Sequence, residues 1–253
     1  MGWSSDSIDL DDWMKMYCEA RYGGYPDAME EAWKLFRKTA YSSLYSYPRF
    51  TWQTVIPDQR RISKIDLSDD YLQAIRLYAS CADELKSSEL YRNDLIEFVS
   101  YYVAAKAENF YKQALKDDLE NRVLAAQRNL QQTVDLLMDV DRLLASHPLY
   151  RLEEWVELAR NSGTTLQEKD AYEANAKRLI TSWGGIQEDY AARFWSGLIK
   201  DYYIPRIQLY FTKDRNKIRE WEEQWITSPW SNSTTPFDDP VKAALNLIEK
   251  TNK

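Results

Sequence analysis

The chain has 253 residues, of which 44% are hydrophobic, and its 33 basic and 40 acidic side chains give a net charge of −7. A chain of this length and composition can bury a sizeable core and is typical of a globular protein. Because the cations are outnumbered and dispersed, the composition argues against a nucleic-acid-binding surface, which requires clustered lysine and arginine.

The apolar runs are only a few residues long, so no segment is expected to span a bilayer. The N-terminal sequence MGWSSDSIDLDDW has neither the basic start nor the apolar stretch of a signal peptide, and in a longer protein a signal would lie upstream. We therefore expect neither a membrane nor a nucleic acid among the partners of this chain.

The two cysteines, Cys18 and Cys81, fall within helical patterns and are expected to be small buried side chains outside any disulfide. Together with His147 they are too few for a zinc or transition-metal site. The sequence also lacks a glycine-rich phosphate loop and any cofactor fingerprint. We expect no metal and no cofactor.

The chain contains 18 Tyr and 10 Trp but only 7 Gly, a composition that favours helices over a sheet. Apolar periodicity and capping residues predict helices at about 9–22, 26–45, 68–87, 89–116, 118–145, 150–161, 166–182, 187–212, 214–226 and 239–251. The predicted fold is all-α, a bundle-like single domain over residues 1–253 with about ten helices and two long loops, at 46–67 and 228–240.

Glycine and proline mark many of the predicted helix ends. Gly23 and Gly163 follow helical patterns, where a left-handed C-cap needs no Cβ, and Pro26 and Pro240 stand where helices begin. No Gly or Pro lies between residues 88 and 147, which predicts two long helices with an offset in LKDDLENR (115–122), where Asp117 and Asp118 suit a helix cap.

The pattern at 187–212 predicts one long helix. Its face is formed by residues at four-residue intervals: Tyr190, Phe194, Leu198 and Tyr202. We expect this face to lie in the core, Gly197 to allow close approach of another helix, and Pro205 to kink the helix.

Two kinds of catalytic candidate are weak. His147 precedes a proline at a helix end and is expected to be a loop or capping histidine rather than a general base. The adjacent pairs Glu30–Glu31, Glu153–Glu154 and Glu222–Glu223 point in different directions on a helix, so we interpret them as solvated faces.

A stronger candidate is the break between two helical patterns at Trp183-Gly184-Gly185. An indole at the end of a helix points out of a bundle and suits stacking on the C–H face of a sugar, although core packing is its commoner role. Asp189 follows closely, either to cap the next helix or to accept hydrogen bonds from a ligand hydroxyl.

Four ordered blocks carry a family resemblance: ARYGGYPDAMEEAWKLFRKTAYSS (20–43), YRNDLIEFVSYY (91–102), LLASHPLYRLEEWVELAR (143–160) and LITSWGGIQEDYAARFWSGLIKDYYIPR (179–206). Together they resemble the C-terminal helical domain of alpha-N-acetylglucosaminidases, glycoside hydrolase family 89. The resemblance runs from about residue 9 to residue 211.

The resemblance implies a modular, exo-acting retaining enzyme that removes terminal alpha-linked N-acetylglucosamine, with two catalytic glutamates on a TIM-like barrel. No alternating strand and helix pattern precedes Trp3, so we expect no catalytic residue in this chain and no activity from it alone. The implied location is secreted or periplasmic in bacteria and lysosomal in animals.

The resemblance also implies that the helical domain lines one wall of the active-site cleft. The substrate-binding residues it implies are Trp183, Gly184, Ile186, Asp189 and Tyr190. Segment 20–23 and the cluster Tyr91, Arg92 and Asp94 either face the barrel or form helix packing with a buried Arg–Asp pair.

Two alternatives of other classes stay open: a stand-alone carbohydrate-binding module that uses exposed aromatics, and a purely structural domain that shields the barrel. The implied partners are the barrel of the same polypeptide and terminal alpha-linked N-acetylglucosamine. Since the barrel would cover one face, we also expect an exposed aromatic patch on the isolated domain, with a dimer as one way of covering it.

Overall fold

The computed structural model describes residues 7–41, 50–54, 69–183, 189, 191–212, 214 and 216–251. Within these residues the chain forms eleven α-helices and no β-strand, which confirms the predicted all-α fold. The helices are α1 (Leu10–Tyr22), α2 (Asp27–Lys38), α3 (Asp69–Ser80), α4 (Ala82–Leu85), α5 (Glu89–Leu119), α6 (Val123–Leu144), α7 (Leu152–Asn161), α8 (Leu166–Leu179), α9 (Ile204–Phe211), α10 (Asn216–Thr227) and α11 (Pro240–Lys250).

The helices group into two compact units. The first comprises Met1–Ser46, Lys64–Tyr102 and Val241–Lys253, and the second comprises Tyr47–Ser63 and Val103–Pro240. The organisation of residues 1–253 as a single domain stays a prediction, and the two units are described in turn.

The first unit has an aromatic core. Helix α2 buries Met29, Ala32, Trp33 and Phe36, the i, i+3, i+4, i+7 stripe of an amphipathic helix, and packs against α3. The rings of Tyr78 and Tyr91 stack with centroids 4.9 Å apart. Aromatic pairs of this kind add to the stabilisation that burial alone gives.

The first unit also contains an ion pair between Arg21 and Asp94. The Arg21 guanidinium donates from Nε and Nη2 to the two carboxylate oxygens of Asp94, at 2.7 and 2.6 Å, and the Tyr22 hydroxyl donates to the same carboxylate at 2.6 Å. This is the Arg–Asp pair with helix packing that the sequence offered as one of two interpretations. Cys18 and Cys81 are buried and reduced, and burial raises their pKa to about 12 and about 11, so both thiols stay protonated.

The second unit is a helical bundle in which α7 packs on α8, α8 on α10, and α10 on α9. Residues Thr51–Gln53 form a single 3-10 turn with Phe50 and Trp52 fully buried. The Thr51 N–H and hydroxyl donate to the buried carboxylate of Glu108 on α5. This piece of the long 46–67 connection is therefore part of the core, and the rest of the connection lies outside the described residues.

Most predicted helices are confirmed, with three differences. Helix α2 ends at Lys38, whereas the predicted helix runs to residue 45, and the helix predicted at 68–87 breaks at Cys81 into α3 and α4. The helix predicted at 187–212 is wrong at residues 189 and 191–197, which are not helical. The offset between α5 and α6 falls at residues 120–122, within the predicted segment 115–122.

A buried carboxylate explains where the helical part of the 187–212 segment begins. Asp141 on α6 accepts hydrogen bonds from the N–H groups of Gly197 and Lys200, at 2.8 and 3.0 Å. These amides open a π-helical turn, Ile199–Tyr203, that leads into α9. The Ile204 N–H donates to Ile199 O, which closes the π-helical turn. Because α9 begins at Ile204, Pro205 lies in its first turn, where the missing N–H of proline is tolerated.

None of the helices among the described residues combines the length and the apolar character that crossing a bilayer requires. The same residues contain no group of three or more His, Cys, Asp or Glu side chains arranged to hold a metal ion.

Gly197 is the predicted close-approach point, although it lies in a turn rather than inside a helix. Its φ is +82°, and a Cβ added there would lie 3.1 Å from Trp230 Cζ2 and 3.2 Å from Leu152 Cβ. The Trp230 indole is fixed because its Nε1 donates to Asp201 Oδ2 at 3.0 Å.

We predict that Gly197→Ala lowers the free energy of unfolding by about 2–4 kcal/mol, because backbone strain and overpacking act together. Gly23→Ala is the matched control, since Gly23 has φ +84° with open space around a Cβ. Gly23→Ala should lower the free energy of unfolding only by the backbone strain, about 1–2 kcal/mol. Urea unfolding followed by circular dichroism measures both, and equal losses would show that crowding at Gly197 is unimportant.

Candidate functional site

Trp183 lies just beyond the end of α8. Helix α8 begins with a capping box in which the Thr165 hydroxyl accepts from the Glu168 N–H and the Glu168 carboxylate accepts from the Thr165 N–H. At the other end the Trp183 N–H donates to Arg178 O at 2.8 Å. The Trp183 side chain is 40% exposed, which agrees with an indole that points away from the bundle.

Asp189 is buried and is the next described residue after Trp183. Its N–H donates to Thr181 O at 3.0 Å, and its carbonyl accepts from the Ala192 N–H at 3.2 Å. Asp189 is therefore not in the first turn of a helix, and the expectation that it caps one was wrong. Trp183 (φ +50°) and Asp189 (φ +58°) both have left-handed backbone, which is uncommon for side chains larger than Asn or Asp.

The Asp189 carboxylate is held by Arg206 on α9. Arg206 Nη1 donates to Asp189 Oδ1 at 2.8 Å and to Glu222 Oε1 at 2.9 Å, and Nη2 donates to Gln53 O at 2.7 Å. Glu222 Oε1 also accepts from the Tyr202 hydroxyl at 2.8 Å. We call Gln53, Asp189, Tyr202, Arg206 and Glu222 the Arg206 cluster.

The Arg206 cluster is buried, with Arg206 only 2% exposed. Burial by itself would lower the pKa of the guanidinium, but the charges of Asp189 and Glu222 outweigh this effect and raise that pKa. Burial raises the pKa of Tyr202 well above its usual range, so the phenol stays neutral. The cluster thus holds one cation between two carboxylates, in a place where an unpaired charge is costly.

Asp189 and Glu222 are near neighbours because they share one donor nitrogen. Glycoside hydrolases use a pair of carboxylates as catalytic groups, but these two are buried and directed at Arg206. A substrate would have to displace the guanidinium to reach them. The pair is suited to fixing the structure rather than to acid–base catalysis.

The sequence-predicted site residues fall into two groups. Trp183 is exposed and Asp189 is buried. Gly184, Ile186 and Tyr190 lie outside the described residues. The assignment of these five residues to substrate binding stays a prediction.

Arg206 and Glu222 were missed by sequence reasoning. The prediction that Glu222 lies on a solvated face was wrong, whereas Glu223 is exposed and pairs with Arg178. A signal for Glu222 was present, because Ile218, Glu222 and Ile226 are spaced four residues apart and all three are buried. A carboxylate in the middle of an apolar stripe requires a buried partner.

His147 has a structural role, as expected. Its ring is 4% exposed, Nδ1 accepts from the Leu149 N–H at 3.1 Å, and the ring packs edge-on against Tyr150. These contacts explain the histidine without catalysis.

Two more buried carboxylates attach the 228–240 loop to helices α6 and α8 of the second unit. The Thr234 hydroxyl donates to Asp141 Oδ2 at 2.6 Å, and the Trp230 N–H donates to Glu173 Oε1 at 2.6 Å. Glu173 in turn pairs with the buried Lys177, whose pKa is lowered by burial. This predicted loop is therefore irregular in form but firmly attached.

The fold defines the class. The structure is similar to part of the family 89 glycoside hydrolase from Clostridium perfringens, solved in complex with PUGNAc, with a TM-score of 0.84 and 22% identity over 98% of this chain and 32% of that one. A structure of the same enzyme with its substrate GlcNAc-alpha-1,4-galactose gives a TM-score of 0.85. The chain has the fold of a helical domain found in family 89 glycoside hydrolases.

The family follows from the sequence. The model of the alpha-N-acetylglucosaminidase C-terminal domain matches residues 13–250, so this chain belongs to that family. Human alpha-N-acetylglucosaminidase is 30% identical over 283 residues, which cover 99% of this chain and 37% of the human protein. The chain thus spans about a third of the length of these relatives.

The neighbours Glu222 and Glu223 provide a test of the Arg206 cluster. We predict that Glu222→Gln lowers the free energy of unfolding by about 1–3 kcal/mol, because the bonds from Arg206 and the Tyr202 hydroxyl lose their charged acceptor. Glu223→Gln, at an exposed ion pair, should change it by at most about 1 kcal/mol. Urea unfolding of the two variants measures both losses. A larger loss in Glu223→Gln than in Glu222→Gln would contradict the burial of Glu222.

Proposed function

We propose that this chain is the C-terminal helical part of an exo-acting, retaining alpha-N-acetylglucosaminidase. In this proposal it packs on a catalytic barrel of the same polypeptide and lines one wall of the active-site cleft, and it is inactive alone. The observation that carries the proposal is the half-exposed Trp183 side chain just beyond the end of α8, in a chain of this family.

The chemistry of Trp183 supports a sugar-facing role. An indole offers an apolar face for the C–H face of a hexose and a polar N–H edge for its hydroxyls. The left-handed backbone at Trp183 costs on the order of 1–3 kcal/mol, and conformations of this cost occur mainly where function requires them.

The remaining members of the proposed substrate-binding set are Gly184, Ile186, Asp189 and Tyr190. Asp189 is the buried member, and its Oδ1 already accepts a hydrogen bond from Arg206. We therefore expect Trp183, rather than Asp189, to make the contact with terminal alpha-linked N-acetylglucosamine.

Catalysis is assigned to the rest of the polypeptide. Retaining glycosidases use two accessible carboxylates roughly 5 Å apart, one as nucleophile and one as acid–base. The Asp189–Glu222 pair does not fit this role, because both carboxylates are buried behind Arg206. The chain also spans about a third of its relatives, which supports a larger enzyme around it.

We propose that each unit contributes exposed aromatic side chains to contacts with the barrel. Among the described residues, the aromatic side chains with the greatest exposure are Tyr41 in the first unit and Tyr172 and Trp183 in the second. Coverage of such residues by the barrel, or by a second copy of the isolated chain, stays part of the proposal.

The test is Trp183→Ala in the complete polypeptide, with an aryl alpha-N-acetylglucosaminide as substrate. We predict that KM rises about ten-fold, from the loss of stacking on the sugar. Trp183→Phe should recover part of this loss because it keeps a ring. Leu124→Ala is the control, since it removes another exposed apolar side chain and should leave both constants unchanged.

Unchanged KM and kcat in Trp183→Ala would remove Trp183 from the site and leave a structural domain that shields the barrel. Inversion at the anomeric carbon, observed by NMR of the first product, would contradict the retaining mechanism.

A further inference from the structure

The 228–240 loop contains the acceptor signal for N-linked glycosylation. Asn232, Ser233 and Thr234 form the pattern Asn-X-Thr in which X is not proline, and nowhere else in the sequence does Ser or Thr stand two residues after an asparagine. Most other asparagines lie within helices, whereas Asn232 lies in irregular backbone. Irregular surface segments are the part of a fold that modifying enzymes can reach.

We propose that Asn232 is the acceptor of an N-linked glycan, attached when the polypeptide enters the secretory pathway of a eukaryotic cell. The proposal goes beyond the proposed function and is independent of it, because it requires neither a sugar contact at Trp183 nor a catalytic barrel. It rests on the sequence pattern and on how the loop is held.

The reaction joins the asparagine amide to a sugar carried on a lipid pyrophosphate. Asn232 Nδ2 attacks the anomeric carbon of the oligosaccharide and forms the new C–N bond. The bond from that carbon to the pyrophosphate oxygen breaks, and the lipid pyrophosphate leaves with the electron pair. The amide releases one proton. The transferring enzyme and the lipid-linked donor both belong to the secretory membrane.

The acceptor lies on the exposed side of the loop. Residues Ser231, Asn232 and Ser233 are exposed, and we call these three residues the exposed bridge. The loop is anchored before the exposed bridge at Trp230, whose N–H donates to Glu173 Oε1 at 2.6 Å and whose Nε1 donates to Asp201 Oδ2 at 3.0 Å. Ordered, buried partners therefore fix the residue from which the bridge starts.

A second anchor follows the exposed bridge directly. The Thr234 hydroxyl donates to Asp141 Oδ2 at 2.6 Å, and the Arg142 guanidinium lies 4.1 Å from the centroid of the Phe237 ring. Both anchors and the bridge belong to the second unit. A glycan on Asn232 would project into solvent between the two anchors without displacing a buried group, so the folded second unit tolerates it.

The second anchor also sets the order of events. The hydroxyl at the third position is part of the signal that the transferring enzyme reads. In the folded chain the Thr234 hydroxyl is engaged by the fully buried Asp141. The glycan therefore has to be attached before the loop docks on Asp141, while the hydroxyl is still available.

The chain offers a matched pair of controls. Thr234→Val removes the hydroxyl of the signal at nearly constant shape. Thr235→Val makes the same change at the next residue, which is exposed and lies outside the pattern. Thr234→Ser keeps a hydroxyl for both the signal and Asp141.

The experiment expresses the complete polypeptide behind a secretion signal in eukaryotic cells and examines its tryptic peptides by mass spectrometry. Cleavage after Arg219 and Lys242 gives the peptide 220–242, which contains Asn232 as its only asparagine, so the site is assigned without ambiguity. An amidase that releases N-linked glycans converts a modified asparagine to aspartate, which carries heavy oxygen when the digestion is done in heavy-oxygen water. A sample without the amidase corrects for spontaneous deamidation.

We predict labelled aspartate at position 232 in the wild type, in Thr235→Val and in Thr234→Ser. The label should be lost in Thr234→Val. Because Thr234→Val also loses the bond to Asp141, it could fail to fold and be retained in the cell. Asn232→Gln then replaces it, since this exposed change leaves both anchors intact and should yield a secreted polypeptide lighter by one glycan.

The outcomes decide the proposal. Unmodified Asn232 in the secreted wild type overturns it. Retention of the label in a secreted Thr234→Val variant, or an unchanged mass in Asn232→Gln, also overturns it, because the pattern would then not be the signal. Loss of the label in Thr235→Val shows that any change in the loop has this effect and equally overturns it. The predicted set of results supports it whether or not Trp183 contacts a sugar.

Discussion

The second unit is organised around a buried positive charge, the guanidinium of Arg206. A charge removed from water is tolerated in a protein only when opposite charges and hydrogen-bond acceptors replace the lost solvation. Arg206 obtains them from Asp189, Glu222 and the Gln53 carbonyl. The requirement to satisfy this one side chain brings a turn, a helix and a connecting segment to the same place.

The same principle recurs elsewhere in the second unit. Asp141 is fully buried, and burial raises the pKa of its carboxyl, yet it accepts bonds from Gly197, Lys200 and Thr234. Through these bonds it fixes the start of the π-helical turn and the 228–240 loop. Irregular segments in this unit are therefore held by buried carboxylates.

Much of the fold was predictable from local sequence. Helices such as α1, α7, α10 and α11 end within two residues of their predicted bounds, because glycine, proline and capping residues act locally. The predicted helix at 187–212 starts too early, because tertiary hydrogen bonds outweigh the local helical pattern of its first residues. Asp189 pairs with Arg206, and Asp141 captures the amides of Gly197 and Lys200, so the helix begins later than propensity suggests.

The candidate site was only partly predictable for the same reason. Trp183 could be proposed because an aromatic beside two glycines at a helix end is a local signal. Arg206 and Glu222 act through contacts with residues that are distant in sequence, and one sequence does not reveal such pairings.

The account makes this chain one wall of a glycosidase site whose catalytic groups lie elsewhere in the polypeptide. The most direct test is to assay the isolated chain and the complete polypeptide with the same aryl alpha-N-acetylglucosaminide, after circular dichroism has shown that the isolated chain is folded. The account predicts turnover by the complete polypeptide and none by the isolated chain. Turnover by the isolated chain, abolished by substitution of one of its own carboxylates, would contradict it.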